Sequence, residues 1–178
     1  MKLKSSIMDE AAVHRSLTRI THEIIEKNNG AEDLCLLGIR RRGVPLAAQL
    51  ADNLRRFEGV QVPLGSIDIS LYRDDLTELS DLPSTGDTDI PFEITGKKLI
   101  LVDDVIYTGR TARAAIDAVF HYGRPRLIQL AVLIDRGHRE LPIRPDYVGK
   151  NIPTSHTEVI SVLVDEYDGR SGVELYEL

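Results

Sequence analysis

Apolar residues recur every three or four positions near the start of the chain, with polar residues between them. This spacing predicts a helix over residues 9–28 with one apolar face, ended by Asn28-Asn29-Gly30. The same period predicts helices over residues 43–56 and 110–122. Pro45 falls near the first turn of the helix over 43–56, where its missing N–H costs no hydrogen bond.

Short apolar runs alternate with these helices and predict strands. They cover residues 33–39, 65–72, 97–104, 127–134, 158–166 and 173–178. The run over 127–134 is apolar on both faces, as central strands of a parallel sheet are. The alternation predicts an α/β fold, with a mostly parallel central sheet flanked by helices. Ligands of such folds bind beyond the carboxyl ends of the strands.

Two stretches follow neither period. Between Asp74 and Gly96 there are seven acids and no Lys or Arg. A loop of this length in a compact domain is typical of a lid, which we expect at about residues 72–96. Residues 135–154 form a second excursion, which is rich in Pro and Gly and carries several basic side chains.

The composition narrows the class of protein. A chain of 178 residues suits one domain, so we expect residues 1–178 to form a single unit. The net charge of -6 argues against a general nucleic-acid coat protein but leaves room for a local basic patch. Cys35 is the one cysteine, which excludes a disulfide framework or a multi-cysteine zinc site within the chain.

Nothing in the chain predicts contact with a membrane. No apolar run approaches the ~20 residues that a membrane-spanning helix needs. The first residues, MKLKSSIMDEAA, lack the apolar region of a secretory signal. We therefore expect a cytoplasmic protein.

The segment LILVDDVIYTGRT (99–111) carries the strongest chemical signal. Its pattern predicts a strand, a loop and the start of a helix, so consecutive backbone N–H groups can surround one anion. Asp103 and Asp104 would repel a bare phosphate. They suit a ligand that also carries sugar hydroxyls and a cation, such as a ribose 5-phosphate with Mg²⁺.

This segment closely resembles the PRPP-binding motif of the type I phosphoribosyltransferases. The resemblance implies their fold, in which a small hood, here about residues 135–154, covers the sheet. It implies that the loop holds the 5-phosphate, that the two acids meet the ribose hydroxyls, and that Mg²⁺ is held mainly through PRPP without a direct protein ligand. The PRPP residues carried over are Asp103, Asp104, Val105, Ile106, Tyr107, Thr108, Gly109, Arg110 and Thr111.

PRPP also carries a pyrophosphate, which needs a second anion-binding site. The motif GIRRRG supplies a candidate between a strand and a helix, with Arg40, Arg41, Arg42 and Gly43. It resembles the family's pyrophosphate loop, although Arg41 stands where a small hydroxyl residue is common. The resemblance also implies a lid that excludes water. It assigns catalytic roles to Arg73, as the cation for the leaving pyrophosphate, and to Asp103 and Asp104.

The resemblance places recognition of the base within residues 135–154. Its candidates are Arg136, Tyr147, Val148 and Ile152, with Tyr147 either stacking on the base or buried with its hydroxyl satisfied. Enzymes that use 6-oxopurines usually carry a lysine near the end of the preceding strand. This chain has Asp135-Arg136 there, which lowers the purine interpretation.

Nearly the whole chain resembles the pyrimidine operon attenuation regulators, a branch of the same family. The matching segments include DISLYRDDLT, VDDVIYTGRT, QLAVLIDRGHRELPIR and DYVGKNIPTS. The resemblance implies binding of UMP or UTP and of leader mRNA, promotion of transcription termination, uracil phosphoribosyltransferase activity and a homodimer or larger homo-oligomer. The RNA-binding candidates are Arg15, Thr18, Arg19, His22, His138, Arg139, Arg144 and Lys150.

Two alternatives remain open at this point. One is a hypoxanthine or guanine phosphoribosyltransferase without an RNA role, and the other is a regulator that has lost catalysis. The sequence leaves open the choice between dimer, tetramer and hexamer, and the preference among UMP, UTP and GMP.

Overall fold

A parallel sheet lies at the centre of the computed structural model, which describes residues 1–72 and 88–178. The elements run β1 (Lys2–Met8), α1 (Glu10–Asn28), β2 (Leu34–Ile39), α2 (Gly43–Glu58), β3 (Leu64–Ile67), β4 (Lys98–Ile106), α3 (Arg110–Val119), β5 (Leu127–Asp135), β6 (Tyr147–Asn151), β7 (Glu158–Leu163), α4 (Asp165–Asp168) and β8 (Gly172–Glu177). Within the described residues the central sheet has the order β3-β2-β4-β5-β6, and each neighbouring pair is parallel. The predicted α/β class is confirmed.

Helices cover both faces of this sheet because its strands are apolar on both sides. On β2, Leu34 and Leu36 pack with α1 and α2, while Cys35 and Leu37 pack with α3. The period of two therefore divides one apolar run between two cores. Burial raises the pKa of the Cys35 thiol to about 12, which makes it a packing residue rather than a nucleophile.

A smaller antiparallel sheet of order β1-β8-β7 joins the two ends of the described chain. The side chain of Lys4 in β1 donates to Glu158 in β7 and so spans the middle strand. No strand was predicted over residues 2–8, because this edge strand is mostly exposed and lacks an apolar run.

The hood prediction also differs from the structure. Residues 147–151, which we placed in the hood, form the edge strand β6 of the central sheet. This strand escaped prediction because Tyr147 is its single buried residue. Residues 136–146 remain as an excursion over the carboxyl end of the sheet, between β5 and β6, and are called the cover segment below.

The predicted strand over residues 65–72 ends early, at Ile67. Asp68 N–H donates to Thr88 Oγ1 at 2.9 Å, and Ser66 forms a bridge with Asp89, so the chain returns to the same sheet edge. Most of the predicted lid, including Arg73, lies outside the described residues. Across residues 1–72 and 88–178, no helix combines the length and apolar character needed to cross a membrane.

Candidate functional site

The site lies where β2, β4 and β5 reach their carboxyl ends. Strand register places Ile106 beside Asp135, and Asp135 beside Asn151, so β4, β5 and β6 end together. Gly43, at the start of α2, touches β4 at Val102, in the middle of that strand. A Cβ atom at Gly43 would lie 2.2 Å from the Val102 carbonyl oxygen, so a residue without a side chain is required there.

The two predicted acids lie side by side at this edge and are half-buried. Asp103 Oδ1 accepts the N–H of Asp104 at 2.9 Å, and Asp104 Oδ1 accepts the N–H of Val105 at 2.8 Å. These local bonds fix one oxygen of each carboxylate. Carboxylates oriented in this way are suited to accept hydrogen bonds from ribose hydroxyls.

The following loop leads directly into α3. Gly109 has φ 94° and forms the N-cap of α3, which has no side-chain cap, so the helix N-terminus is open to an anion. A cavity of about 410 Å³ opens there. Its lining residues are Asp103, Val105, Ile106, Tyr107, Thr108, Gly109, Thr111, Ala112, Leu130 and Val132.

Most of the residues carried over from the PRPP motif therefore face one cavity. Asp104 and Arg110 are the exceptions. Asp104 does not line this cavity, and Arg110 Nε donates to Glu140 Oε2 at 2.8 Å. We assign its guanidinium to the cover segment rather than to the cavity wall.

The cover segment is hydrogen-bonded to the back of this loop. Arg139 Nη1 donates to the Tyr107 carbonyl at 2.9 Å, and the N–H groups of Glu140 and Leu141 donate to the Thr108 carbonyl at 2.9 and 3.1 Å. In a trans peptide the C=O and N–H point in opposite directions. Bonds to the carbonyls of Tyr107 and Thr108 thus aim the N–H groups of Thr108 and Gly109 away from the cover segment.

The arginine loop, defined as Arg40–Gly43, follows β2. α2 begins without a side-chain cap and with no acid in its first turn, so its N-terminus also suits an anion. The side chains of Arg41 and Arg42 instead contact α4. Arg42 Nη2 donates to Asp168 Oδ1 at 2.9 Å, and the Arg41 guanidinium lies 4.5 Å from the centre of the Tyr167 ring. Sequence reasoning missed both α4 residues, because no motif marks them.

A second cavity, of about 420 Å³, lies between the cover segment and the end of β6. Its lining residues are Asp135, Arg136, Gly137, His138, Arg139, Arg144, Asn151, Pro153 and Thr154. Asn151, Pro153 and Thr154 were absent from the predicted site. Their adjacency to Asp135 follows from strand pairing, which the sequence does not display.

The structure corrects one predicted base contact, Tyr147, and shows that the side chain of another, Arg136, bonds within the protein. The Tyr147 ring is 2% exposed, and its hydroxyl donates to Gln129 Oε1 at 2.7 Å, so it cannot stack on a base. Burial raises its pKa to about 12. The Arg136 guanidinium donates to Thr154 Oγ1 at 3.0 Å and to the Glu158 carbonyl at 2.7 Å, so it braces the chain after β6.

The other base candidates lie near the cavities but offer mainly backbone. Ile152 is buried, and its N–H donates to the Asp135 carbonyl at 2.8 Å. The Val148 carbonyl accepts from Arg19 at 3.3 Å, while its side chain packs against the core on the α3 side of the sheet.

The predicted RNA-binding residues fall into two neighbouring groups. Arg15, Arg19 and Lys150 line one groove between α1 and β1. Half-buried Thr18 lies between these two arginines on α1, and exposed His22 lies one turn beyond them. Arg144 and His138 line the second cavity, which β6 separates from that groove. The His22 ring stacks on Phe57, with centroids 4.5 Å apart.

Arg139 does not extend either basic group. Besides its bond to Tyr107, it donates to the Ile143 carbonyl at 2.9 Å and to Asp135 Oδ2 at 2.5 Å. With its side chain 15% exposed, it holds the cover segment together rather than presenting a surface cation.

The described residues contain no group of three or more His, Cys, Asp or Glu side chains that could hold a metal ion. Asp103 and Asp104 are thus two acids without a third protein ligand nearby in that part of the chain. Mg²⁺ commonly binds through one or two carboxylates plus substrate phosphates, so this pair suits an ion that arrives with its substrate.

Comparisons with known proteins agree with this geometry. The phosphoribosyl transferase domain family matches residues 5–167. The bifunctional protein PyrR of Clostridium perfringens is 62% identical over 177 residues, covering 99% of both chains. That of Acetivibrio thermocellus is 60% identical over 175 residues, covering 98% of this chain and 95% of the relative.

Solved structures share the fold at lower identity. The hypoxanthine phosphoribosyltransferase of Trypanosoma cruzi, in a ternary substrate complex of a point mutant, superposes with a TM-score of 0.76 at 22% identity, covering 98% of this chain and 96% of that one. A hypoxanthine-guanine phosphoribosyltransferase of Bacillus anthracis gives a TM-score of 0.71 at 21% identity over all of both chains.

The packing of Gly43 against β4 leads to a stability prediction. A Gly43→Ala variant must move the Val102 carbonyl or the start of α2, so we expect a loss of about 2–3 kcal/mol, as for other overpacked sites. Thermal unfolding followed by circular dichroism should show a melting temperature lower by about 5–10 °C. Ala48→Gly, at an exposed position of the same helix, is the control and should cost only about 1 kcal/mol. Equal melting of Gly43→Ala and wild type would refute the close contact.

Proposed function

Since this chain belongs to the phosphoribosyltransferase family, we propose that it is a bifunctional regulator of pyrimidine synthesis. In this proposal it binds leader mRNA of a pyrimidine operon when UMP is bound, and so promotes transcription termination. It also converts uracil and PRPP to UMP and diphosphate. The observation that carries the proposal is 62% identity over the full chain to a relative named bifunctional PyrR. Both activities belong in the bacterial cytoplasm, where nascent mRNA and PRPP occur together.

The enzymatic half needs positioning rather than a protein nucleophile. The bond from ribose C1 to the pyrophosphate oxygen breaks as uracil N1 bonds to C1, through an oxocarbenium-like transition state. The N1–H bond breaks as well, and its proton leaves with the diphosphate or to water. The loop from Thr108 to Thr111 and Asp103 line one cavity, where the loop would hold the 5-phosphate. Asp103, with Asp104 beside it in the sequence of β4, would accept the ribose hydroxyls. Two ends of one sugar phosphate are then fixed, which lowers the entropic cost of reaching the transition state.

A divalent ion completes the charge balance of this site. When bound, Mg²⁺ with PRPP supplies positive charge to the departing pyrophosphate. Asp103 and Asp104, both half-buried, would contact it through water. The arginine loop and the open N-terminus of α2 would face the pyrophosphate. Arg73, which lies outside the described residues, is proposed as a further cation carried by the lid.

The regulatory half would use the two basic groups that meet along β6. Lys150 lies on the α1 side, in the groove with Arg15 and Arg19, and Asn151 lies in the second cavity with Arg144. Guanidinium and ammonium groups pair with phosphates and stack on unpaired RNA bases. We propose that RNA crosses this strand edge, and that a homodimer or larger assembly joins two such surfaces.

The purine alternative has less support. The hypoxanthine enzymes that superpose on this chain are about one-fifth identical, so they indicate the fold alone. Asp135-Arg136 occupies the position of the usual purine-binding lysine, and the Arg136 side chain is committed to the Thr154–Glu158 segment. We therefore prefer uracil as the acceptor base.

Substrate choice is tested by measuring diphosphate release with PRPP, Mg²⁺ and either uracil or hypoxanthine. We expect turnover with uracil, and a loss of about 100-fold or more in kcat/KM for Asp103→Asn, because a charged acceptor of the ribose that lines the cavity is removed. Asp117→Asn, an exposed acid of α3 outside the cavity, should retain wild-type turnover. Turnover of hypoxanthine alone would reject the proposed base.

RNA binding is tested by a mobility shift with a pyrimidine-operon leader, with and without saturating UMP. Lys150→Ala should weaken binding several-fold and lower the salt dependence by about one counterion, because one phosphate contact is lost. Lys97→Ala is the matched control, since Lys97 precedes β4 at the opposite end of the sheet and pairs with Asp33. Equal binding of unrelated RNAs would show that this surface binds RNA only by general charge attraction, without sequence specificity.

The contact between the cover segment and the loop that leads into α3 offers a route by which bound UMP could affect RNA binding. Glu140→Ala removes the ion pair with Arg110, and such a partly exposed pair is worth up to about fivefold in an equilibrium. We expect the ratio of RNA affinities with and without UMP to fall about two- to fivefold. Asp117→Ala, which removes an ion pair elsewhere on α3, should leave that ratio unchanged. An unaltered ratio in Glu140→Ala would exclude this contact from the coupling.

A further inference from the structure

We infer that Asp168 and Tyr167, at the end of α4, are positioning residues that orient the arginine loop for the pyrophosphate of PRPP. The inference rests on the proposed transferase function and adds to it two residues distant in sequence from both anion loops. Neither residue lines the cavity beside Asp103, so they would act through Arg41 and Arg42.

The Asp168 carboxylate is fixed on both sides. Its Oδ1 and Oδ2 accept from Arg42 Nη2 at 2.9 and 3.2 Å, and its Oδ2 also accepts the N–H of Val164 at 2.8 Å. The Val164 N–H and the Arg42 guanidinium hold the pKa of this carboxyl below its usual value. The group is thus ionised at neutral pH, and α4 presents a constant charge to the loop.

Tyr167 provides the second contact. Its ring faces the Arg41 guanidinium at 4.5 Å, an ordinary distance for a cation–π interaction. Two consecutive arginines of the loop are therefore held by two consecutive residues of α4. Because the ring and the carboxylate of one short helix move together, these contacts set the direction of both arginine side chains at once.

The loop is held from its other end by the start of α2. Gly43 packs on the Val102 carbonyl, so the chain cannot move toward β4 there. The contacts with α4 restrain the preceding residues, Arg41 and Arg42. Between these two restraints the open N-terminus of α2 keeps one orientation beside Asp103. A preorganised anion site of this kind loses less entropy on binding than a mobile one.

The charge of α4 indicates that this helix orients the arginine loop rather than attracting pyrophosphate. Asp168 is itself negative, and it neutralises part of the Arg42 charge that pyrophosphate would otherwise attract. A loop that needed only positive charge would bind pyrophosphate better without Asp168. The inference therefore predicts that loss of the Asp168 charge weakens pyrophosphate binding, whereas a simple charge count predicts that it strengthens binding.

The test compares ligands with and without a pyrophosphate. In Asp168→Asn, which keeps an acceptor for the Val164 N–H, we expect the KM for PRPP and the inhibition constant of inorganic pyrophosphate to rise about five- to twentyfold. The dissociation constant of UMP should stay within about twofold, since UMP carries no pyrophosphate. Tyr167→Leu should raise the KM for PRPP about two- to fivefold, and Glu166→Gln in the same helix is the unchanged control.

Each outcome has one interpretation. An unchanged or lowered KM for PRPP in Asp168→Asn overturns the inference, and so does an equal loss of UMP and PRPP affinity, which indicates general damage. Asp168→Glu should recover part of the PRPP affinity. If the wild-type protein forms no UMP from uracil and PRPP, the transferase proposal fails instead. Pyrophosphate binding measured by calorimetry then still tests whether α4 orients the loop.

Discussion

The contact between Gly43 and the Val102 carbonyl is the constraint on which the site depends. It sets the start of α2 against the middle of β4, next to the acid pair. The arginine loop and the loop before α3 therefore both adjoin the segment that carries Asp103 and Asp104. PRPP has a phosphate at one end of its ribose and a pyrophosphate at the other, so this spacing of two helix N-termini around two acids matches the charges along that ligand. A side chain at residue 43 would separate the two halves.

Both anion loops are held from behind by segments distant in sequence. The cover segment binds the carbonyls of Tyr107 and Thr108, and α4 binds the side chains of Arg41 and Arg42. The cover segment bonds to the carbonyl side of its loop, opposite to the N–H groups of Thr108 and Gly109 that would hold the phosphate. The loops are thus oriented before a ligand arrives, as electrostatic stabilisation of a transition state requires.

The parts of this site that were predictable are those encoded locally. The segment from Asp103 to Thr111 carries its acids, hydroxyls and glycine within one strand-loop-helix unit, and the structure gathers most of them around one cavity. Tyr147 was ambiguous because a tyrosine on a short strand can be buried or exposed, and only Gln129 and Asn28 from other elements decide for burial. β1 and β6 escaped prediction because pairing, rather than an apolar run, makes them strands. Asp168 has no local signal at all, since its partner Arg42 lies 126 residues away.

A contact between segments distant in sequence also bears on how one protein could join catalysis to RNA binding. The overall charge of -6 opposes RNA, so affinity must come from a confined surface where basic groups are not cancelled. Arg144, the residue of the cover segment that we propose for that surface, lines the second cavity. The segment's backbone is bonded to the peptide that carries the Gly109 N–H. This peptide plane carries the Gly109 N–H on one side and the Thr108 carbonyl on the other. A phosphate that binds the N–H therefore also orders the cover segment, which is bonded to the carbonyl. The free energy transferred is limited to that of a few partly exposed hydrogen bonds, so the coupling should be a graded change in RNA affinity rather than an all-or-none switch.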